Sequence, residues 1–427
     1  MTPATKSKRV DIHYPDGFIP KLELGWYATS RFLRQHPIHK WFSFRHSFSP
    51  ELVEAILLDW NLPDGSVLLD PFVGAGTTIL SAKQIGYSAI GIDLSPLAIL
   101  STKVKTNEYD PDVILTSIND GGYFASLSEE NINIDKWISS SDRLLKAFTK
   151  EELSEFLRLR QRILSLDESC QSFYLLGLLA ILPKFSRAVS DGGWFRWIQR
   201  DDQTLKIYQT FIDQINGMVT DLKSYHDVKK RCGIWNVLLG DARAIGLSEK
   251  SIDGVITSPP YPNRHDYSRV FQLELLMLGE SEKDIMDLRH NSLRSHVEAI
   301  PPKNENNPTN GYTQPEILSL CLGTLGENVD KRIPRMVKGY FEDIYLTLLS
   351  IKKTMKPGAK FALVVGNVRH CGVMFPVDEI IVAIGSQLGF DHYQSWVVRL
   401  RGNSAQQMGK YGREPSRETV VMLQLPK

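Results

Sequence analysis

Two short stretches hold residues whose types and spacing could do chemistry. In DPFVGAGTT (Asp70 to Thr78), Gly74 and Gly76 form a turn between a strand-like run, SVLLD, and a helix-like run, TTILSAKQIG. A turn in that setting brings backbone close to a ligand and collects amide N–H groups at a helix start. Where a dinucleotide fingerprint would carry its third glycine the chain has Ile79, which disfavours pyrophosphate. Asp93 ends the next strand-like run, SAIGID, and is placed to accept hydrogen bonds from two ribose hydroxyls; an aspartate that merely caps the following turn looks the same in sequence. The second stretch, TSPPY (Thr257 to Tyr261), follows the run DGVIT directly. Two prolines remove backbone donors and fix φ, so the strand must stop there. A plain turn would do that much. Downstream of the glycine turn, however, a rigid turn aims two acceptors, the Ser258 hydroxyl and the Pro259 carbonyl, and presents the Tyr261 ring.

The elements that must position these stretches alternate. FSPELVEAILLDW (Phe48 to Trp60) reads as a helix with Ser49 as its cap and Pro50 as its first residue. Strand, glycine turn, helix and strand then follow from Ser66 to Asp93, a βαβ unit. WNVLLGDAR and SIDGVITSPPY supply two more strands; YFEDIYLTLLSIKKTM and PVDEIIVAIGSQLG read as helices, and KFALVVGN, YQSWVVRL and ETVVMLQL as strands. The pattern predicts an α/β fold, a doubly wound sheet of seven mostly parallel strands. It divides the chain into an N-terminal arm (1–47), a first part of the sheet domain (48–100), a helical insertion (101–232), a second part (233–278), a loop-rich insertion (279–338) and a last part (339–427). Either insertion is a candidate for target recognition.

Composition excludes several classes. A hydrophobic fraction of 42% and a charged fraction of 23% are those of an ordinary globular protein. The formal charge of +1 gives no bulk attraction to nucleic acid, so phosphate contacts must come from local clusters. Candidates are KSKR near the N-terminus, Arg196 and Arg200 in GGWFRWIQR with Trp197 between them, and the tail with Arg399, Arg401, Lys410 and Arg413. Solvated charge, and for the aromatics a place in the core, are the plainer readings. Cys170, Cys232, Cys321 and Cys371 are too scattered for a Cys-x-x-Cys metal site, and none follows a proline. No metal is expected. No signal peptide and no long apolar run is present, which predicts a cytoplasmic protein with no membrane partner.

DPFVGAGTT together with TSPPY resembles the DNA amino methyltransferases, the enzymes of restriction-modification systems that methylate cytosine N4 or adenine N6. The resemblance implies a Rossmann-like class I methyltransferase fold and S-adenosylmethionine as cofactor. It places Asp70, Phe72, Gly74, Gly76, Thr77, Asp93, Asp241 and Ala242 at the cofactor, with Asp93 on the ribose and Asp241 on the adenine amino group. HKWFSFRHSFSPELV (His39 to Val53) is similar in position to the family segment that touches the methionine end. It makes Ser258, Pro259, Pro260 and Tyr261 catalytic, with Arg264, His265, Asp266 and Tyr267 at the rim of the base pocket. Ser-Pro-Pro-Tyr is typical of the cytosine enzymes in this family, and Asp-Pro-Pro-Tyr of the adenine ones.

The chemistry agrees with that implication. The lone pair of a base amino group is delocalised into its ring, so the nitrogen attacks poorly until acceptors on its two protons polarise it. Proximity and in-line orientation supply much of the remainder, with no metal and no covalent enzyme intermediate required. Tyr261 would stack on the base. The implied partner is DNA, a duplex with the target base flipped out, and a cognate restriction nuclease is the expected companion. Adenine N6 methylation, methylation of RNA, and a DNA-binding subunit without activity are the alternatives; the last would be expected to have lost motif residues that are all present. A nicotinamide oxidoreductase would need the missing third glycine.

Overall fold

The computed structural model describes residues 14–44, 47–119, 142–191, 194–200, 206–225, 233–301, 311–402 and 415–427. Among them the strands are β1 (Phe18–Pro20), β2 (Val67–Asp70), β3 (Ser88–Asp93), β4 (Ala188–Asp191), β5 (Trp194–Trp197), β6 (Trp235–Leu239), β7 (Ile252–Thr257), β8 (Met355–Gly366), β9 (Val368–His370), β10 (Val373–Phe375), β11 (Asp391–Arg401) and β12 (Ser416–Gln424). Eight of them form one sheet in the order β1-β11-β12-β8-β7-β2-β3-β6, while β4 with β5 and β9 with β10 make separate hairpins. From β8 to β6 every neighbouring pair is parallel; β12 runs antiparallel to both of its neighbours, β8 and β11. The fold is therefore the expected α/β, doubly wound, mostly parallel sheet, with eight strands where seven were expected. The extra one, β1, pairs parallel with β11 at the edge. Three residues, FIP, are too few to show alternation, and the proline is tolerated because the strand lies at an edge.

Alternation along β8 divides its side chains between two cores. Phe361, Leu363 and Val365 pack with the long helix Arg332–Thr354 and the helix Val377–Gln387. Ala362 and Val364 face the other way, toward α1 (Pro50–Trp60) and α2 (Thr77–Ile85). Ser49 occupies the position before α1, as expected, but its hydroxyl donates to Thr29 O at 2.9 Å and does not cap the helix.

A third core is helical. It gathers α3 (Pro96–Thr106) and α4 (Pro111–Asn119) with the helices Lys150–Leu164, Glu168–Phe185, Ile207–Tyr225 and Gln272–Leu278. Ile38, Trp41, Phe42 and Phe44 are buried in it, and Trp41 Nε1 donates to Asp221 Oδ2 at 2.9 Å. Residues 14–44 thus do not stand off as an arm, because Trp41, Phe42 and Phe44 belong to this layer, Tyr27 packs on the sheet core and β1 joins the sheet. The expected division at 100 falls inside α3. No helix among the described residues is long and apolar enough to cross a membrane.

Candidate active site

The strand order reverses between β2 and β7, so the carboxyl ends of these strands open a crevice at a topological switch point. A cleft lies there, enclosing about 1160 Å³ of empty space with open solvent included. One part of its wall is the glycine turn with the ends of β3 and β6: Asp70, Phe72, Gly74, Thr77, Asp93, Asp241 and Ala242. Another is Ser258, Pro260, His265, Asp266 and Tyr267 after β7. The two sequence motifs, far apart in the chain, therefore face one cavity.

Gly74 and Gly76 both have positive φ, at 47° and 82°, a conformation that L side chains rarely adopt. They differ in surroundings. A Cβ on Gly74, which lines the cleft, would meet nothing nearer than Phe72 O at 3.8 Å. One on Gly76 would meet Thr102 Oγ1 at 2.7 Å; Gly76 lies outside the cleft lining, and the close approach that it permits is to α3. This corrects the expectation that both glycines approach the ligand.

Asp93 accepts from Gly74 N at 3.0 Å and from Ser95 N at 2.9 Å, one bond to each carboxylate oxygen, and burial raises its pKa. The carboxylate both caps the following turn and ties down the glycine turn, while each oxygen keeps a lone pair for a further donor. Asp70 is buried; Thr257 Oγ1 and Phe72 N donate to its Oδ1, and desolvation pushes its pKa up to about 6. Asp241 faces the cleft with its two oxygens held by the Arg243 guanidinium at 2.8 to 3.1 Å. Arg243 also reaches Asp343 at 3.4 Å, so a buried network orients Asp241.

Ser258 Oγ donates to Val364 O at 3.0 Å. Its one proton is thereby engaged with the neighbouring strand, and its lone pairs are left to accept. Pro259 is buried and, with Tyr261, lies outside the cleft lining. The Tyr261 ring packs where a Cβ on Gly366 would come within 3.1 Å, and its hydroxyl approaches Glu418 Oε1 at 3.5 Å. Burial raises the Tyr261 pKa. The ring is therefore buried in the sheet core and does not itself line the cleft. Tyr267 does line the cleft; burial first, and then the charge of Asp93, raise its pKa.

Arg264 is outside the lining, in the left-handed region at φ 73°, with its N–H donating to Ser295 O at 3.0 Å. Arg196 and Trp197, in the β4–β5 hairpin, are exposed and away from the cleft lining. Arg200 donates to Pro183 O and Lys184 O at the end of the helix Glu168–Phe185. Arg401 and Arg399 turn to the buried Glu418, at 2.6 and 3.6 Å. Among the expected phosphate contacts, Arg200, Arg399 and Arg401 therefore have partners inside the protein. KSKR, Lys410, Arg413 and Cys232 lie outside the described residues.

The sequence reading missed one wall. Ser292, Leu293, Ser295 and His296, from the loop-rich insertion, also line the cleft, and no motif marks them. Phe44, Ser47 and Phe48 line it too, from the segment whose position resembled a cofactor contact. His370 donates from Nε2 to Pro262 O at 2.7 Å and so steadies the turn after β7. Asp266, His296 and Glu298 converge as metal ligands do, but the site has its own cations: Arg289 Nε is 2.6 Å from Asp266 and Arg269 Nη2 2.5 Å from Glu298.

Residues 25–103 match a family model described as DNA methylase. The chain is 29% identical over 448 residues to the Type II methyltransferase M.BsoBI of Geobacillus stearothermophilus, covering 92% of this chain and 86% of that one. It is 27% identical over 429 residues to the Type II methyltransferase M.AvaI of Nostoc sp., covering 92% and 87%. Among solved structures, an SAM-dependent methyltransferase from Methanosarcina mazei aligns over 87% of this chain and 97% of that one, with 8% identity and a TM-score of 0.31.

Proposed function

We infer that this chain, an S-adenosylmethionine-dependent DNA methyltransferase of the N4/N6 amino-methyltransferase family, methylates the exocyclic N4 nitrogen of cytosine. The observation that carries the reading is the placing of Ser258 on the same cleft as the glycine turn, with its proton engaged by Val364 O.

The cleft fits the cofactor. It has strand-end carboxylates at Asp93 and Asp241 and open space over Gly74. The turn from Phe72 to Thr77 would hold the cofactor, with Asp93 toward the ribose hydroxyls and Asp241 and Ala242 toward the adenine. When bound, S-adenosylmethionine supplies a methyl group on a positively charged sulfur that leaves as a neutral thioether. The Ser258 oxygen then accepts a hydrogen bond from the amino group of the base, which raises electron density on the nitrogen as it attacks. Once the N–C bond has formed, the nitrogen releases its surplus proton to solvent. Pro260 and Tyr267 on the cleft wall confine the ring so that the nitrogen points in line.

Ser258 is only partly exposed at the wall of a cleft, so a base stacked in a duplex cannot reach it, and the target base must leave the stack. His265, Ser292, Ser295 and His296 are the polar groups it would meet. Cytosine is favoured by Ser-Pro-Pro-Tyr itself. A partner nuclease that cuts the same unmethylated sequence goes with this reading.

The test offers radiolabelled methyl from S-adenosylmethionine to mixed-sequence duplex DNA and, in parallel, to RNA, followed by nucleoside analysis, with Ser258→Ala alongside. Label in N4-methylcytosine, lost in the variant, is the expected result. Label in N6-methyladenine overturns the choice of base, and label in RNA alone overturns the choice of substrate.

A further inference from the structure

The carbonyl side of the glycine turn is held from behind by one face of α3. Thr102 and Lys105 stand three residues apart there, so they project from the same face. Both are buried, Thr102 completely and Lys105 to 2% exposure. Thr102 Oγ1 donates to Gly74 O at 3.3 Å, and Lys105 Nζ donates to Ala75 O at 2.9 Å and to Phe42 O at 2.8 Å. We propose that Thr102 and Lys105 are positioning residues for the methyl-donor pocket, clasping the glycine turn onto α3 and tying it to Phe42, close in the chain to the wall residues Phe44, Ser47 and Phe48. The proposal rests on the cofactor reading given above.

The peptide plane explains why this matters for binding. In a trans peptide the C=O and the following N–H point in opposite directions. Holding Gly74 O toward α3 therefore sends the Ala75 N–H away from α3, and Ala75 lines the cleft. The second acceptor of Lys105, Phe42 O, belongs to the segment that continues to Phe44, Ser47 and Phe48, which line the same cleft. One ammonium thus fixes two walls relative to each other.

A core position would ordinarily be filled at less cost. Burying an ammonium is unfavourable unless it is paired, and among the described residues no carboxylate lies within 4 Å of Lys105. Methionine or leucine would pack there without that penalty. The two carbonyls are what the lysine adds. Burial lowers its pKa to about 7, yet a neutral amine keeps two N–H donors for the two carbonyls, so the clasp survives loss of the proton.

The experiment uses the full chain and S-adenosylmethionine alone as probe, by calorimetric titration without DNA, followed by methyl-transfer kinetics and thermal melting. Lys105→Met and Thr102→Val are compared with wild type and with Lys105→Arg. The expected result for Lys105→Met is a cofactor Kd raised about tenfold or more, the effect of losing hydrogen bonds from a charged donor. KM for the cofactor rises with it, while kcat at saturating cofactor and KM for DNA stay, and Lys105→Arg recovers part of the affinity. Thr102→Val gives a smaller rise in the same direction, and it carries the test if Lys105→Met does not fold. Lower melting temperatures with unchanged cofactor Kd in the folded variants would overturn the proposal and leave both residues as packing. If wild type itself binds no S-adenosylmethionine, the cofactor reading falls and this proposal falls with it.

Discussion

Thr257 Oγ1 donates a hydrogen bond of 2.5 Å to Asp70 Oδ1, joining the carboxyl ends of β7 and β2 at the floor of the cleft. The donor belongs to TSPPY and the acceptor to DPFVGAGTT, so one bond ties the two motifs together. The carboxyl group is desolvated, and its pKa rises from an ordinary 3.8 to about 6.

That rise predicts a pH dependence of stability. The folded state holds the Asp70 proton more tightly than the unfolded state does, so this stabilisation is complete below about pH 4 and is lost as the pH rises through about 6. The full swing is on the order of 3 kcal/mol. Asp70→Asn should flatten the decline of the melting temperature between pH 4 and 6.5 relative to wild type. Parallel curves for the two proteins would show that Asp70 titrates normally.

On the proposed reading, Ser258→Ala removes the acceptor that the base amino group would meet, while leaving the glycine turn intact. We expect kcat to fall about 100-fold or more, with the cofactor Kd unchanged, in single-turnover transfer and titration. A variant as fast as wild type would remove Ser258 from the chemistry.

The two glycines of the turn should fail differently. Gly76→Ala combines φ 82° with a 2.7 Å contact to Thr102 Oγ1, so its loss should appear in melting. Gly74→Ala costs about 1 to 2 kcal/mol for its left-handed backbone, and its methyl has space only because the cleft is there. Its signature should be weaker cofactor binding beyond the change in melting temperature. Equal effects in both measurements would mean that the surroundings of the two glycines do not differ as described.

Tyr261 separates a buried role from a stacking one. With its ring against Gly366 and its hydroxyl 3.5 Å from Glu418, Tyr261→Ala should destabilise the protein by about 3 to 5 kcal/mol. Tyr261→Phe should cost about 1 kcal/mol or less. A rise in KM for DNA without a change in melting temperature would instead return the ring to the base.

Much of this arrangement was legible because local pattern and tertiary role agreed. The glycine turn lies between a strand and a helix, and TSPPY follows a strand end, so each motif fell where the pattern placed it. The fold followed from alternation in segments as long as β8. Other features carry no local signature. β1 is three residues whose pairing depends wholly on β11. Ser292 to His296 join the cleft only because the chain returns there after the helix Glu282–Asn291. Arg401 reads as a surface charge until β12 brings Glu418 beside it. Thr102 and Lys105 look like the polar side of an amphipathic helix, and only the packing of α3 behind the turn puts them in the interior. Sequence likewise does not say which side of the turn the Tyr261 ring takes, here against Gly366.

The place of β12 in the sheet has a consequence for how the protein is made. It follows β1, β8 and β11 in the chain, yet it is wedged between β8 and β11 and carries the glutamate beneath Tyr261. On the ribosome, β11 with its partner β1 has no bonded route to the parallel strands until β12 has emerged, some tens of seconds after β2. Until then β8 stays unpaired on the side that β12 will take. A chain cut short before residue 416 lacks β12, so β8 and β11 lose the strand that joins them and Arg401 loses Glu418.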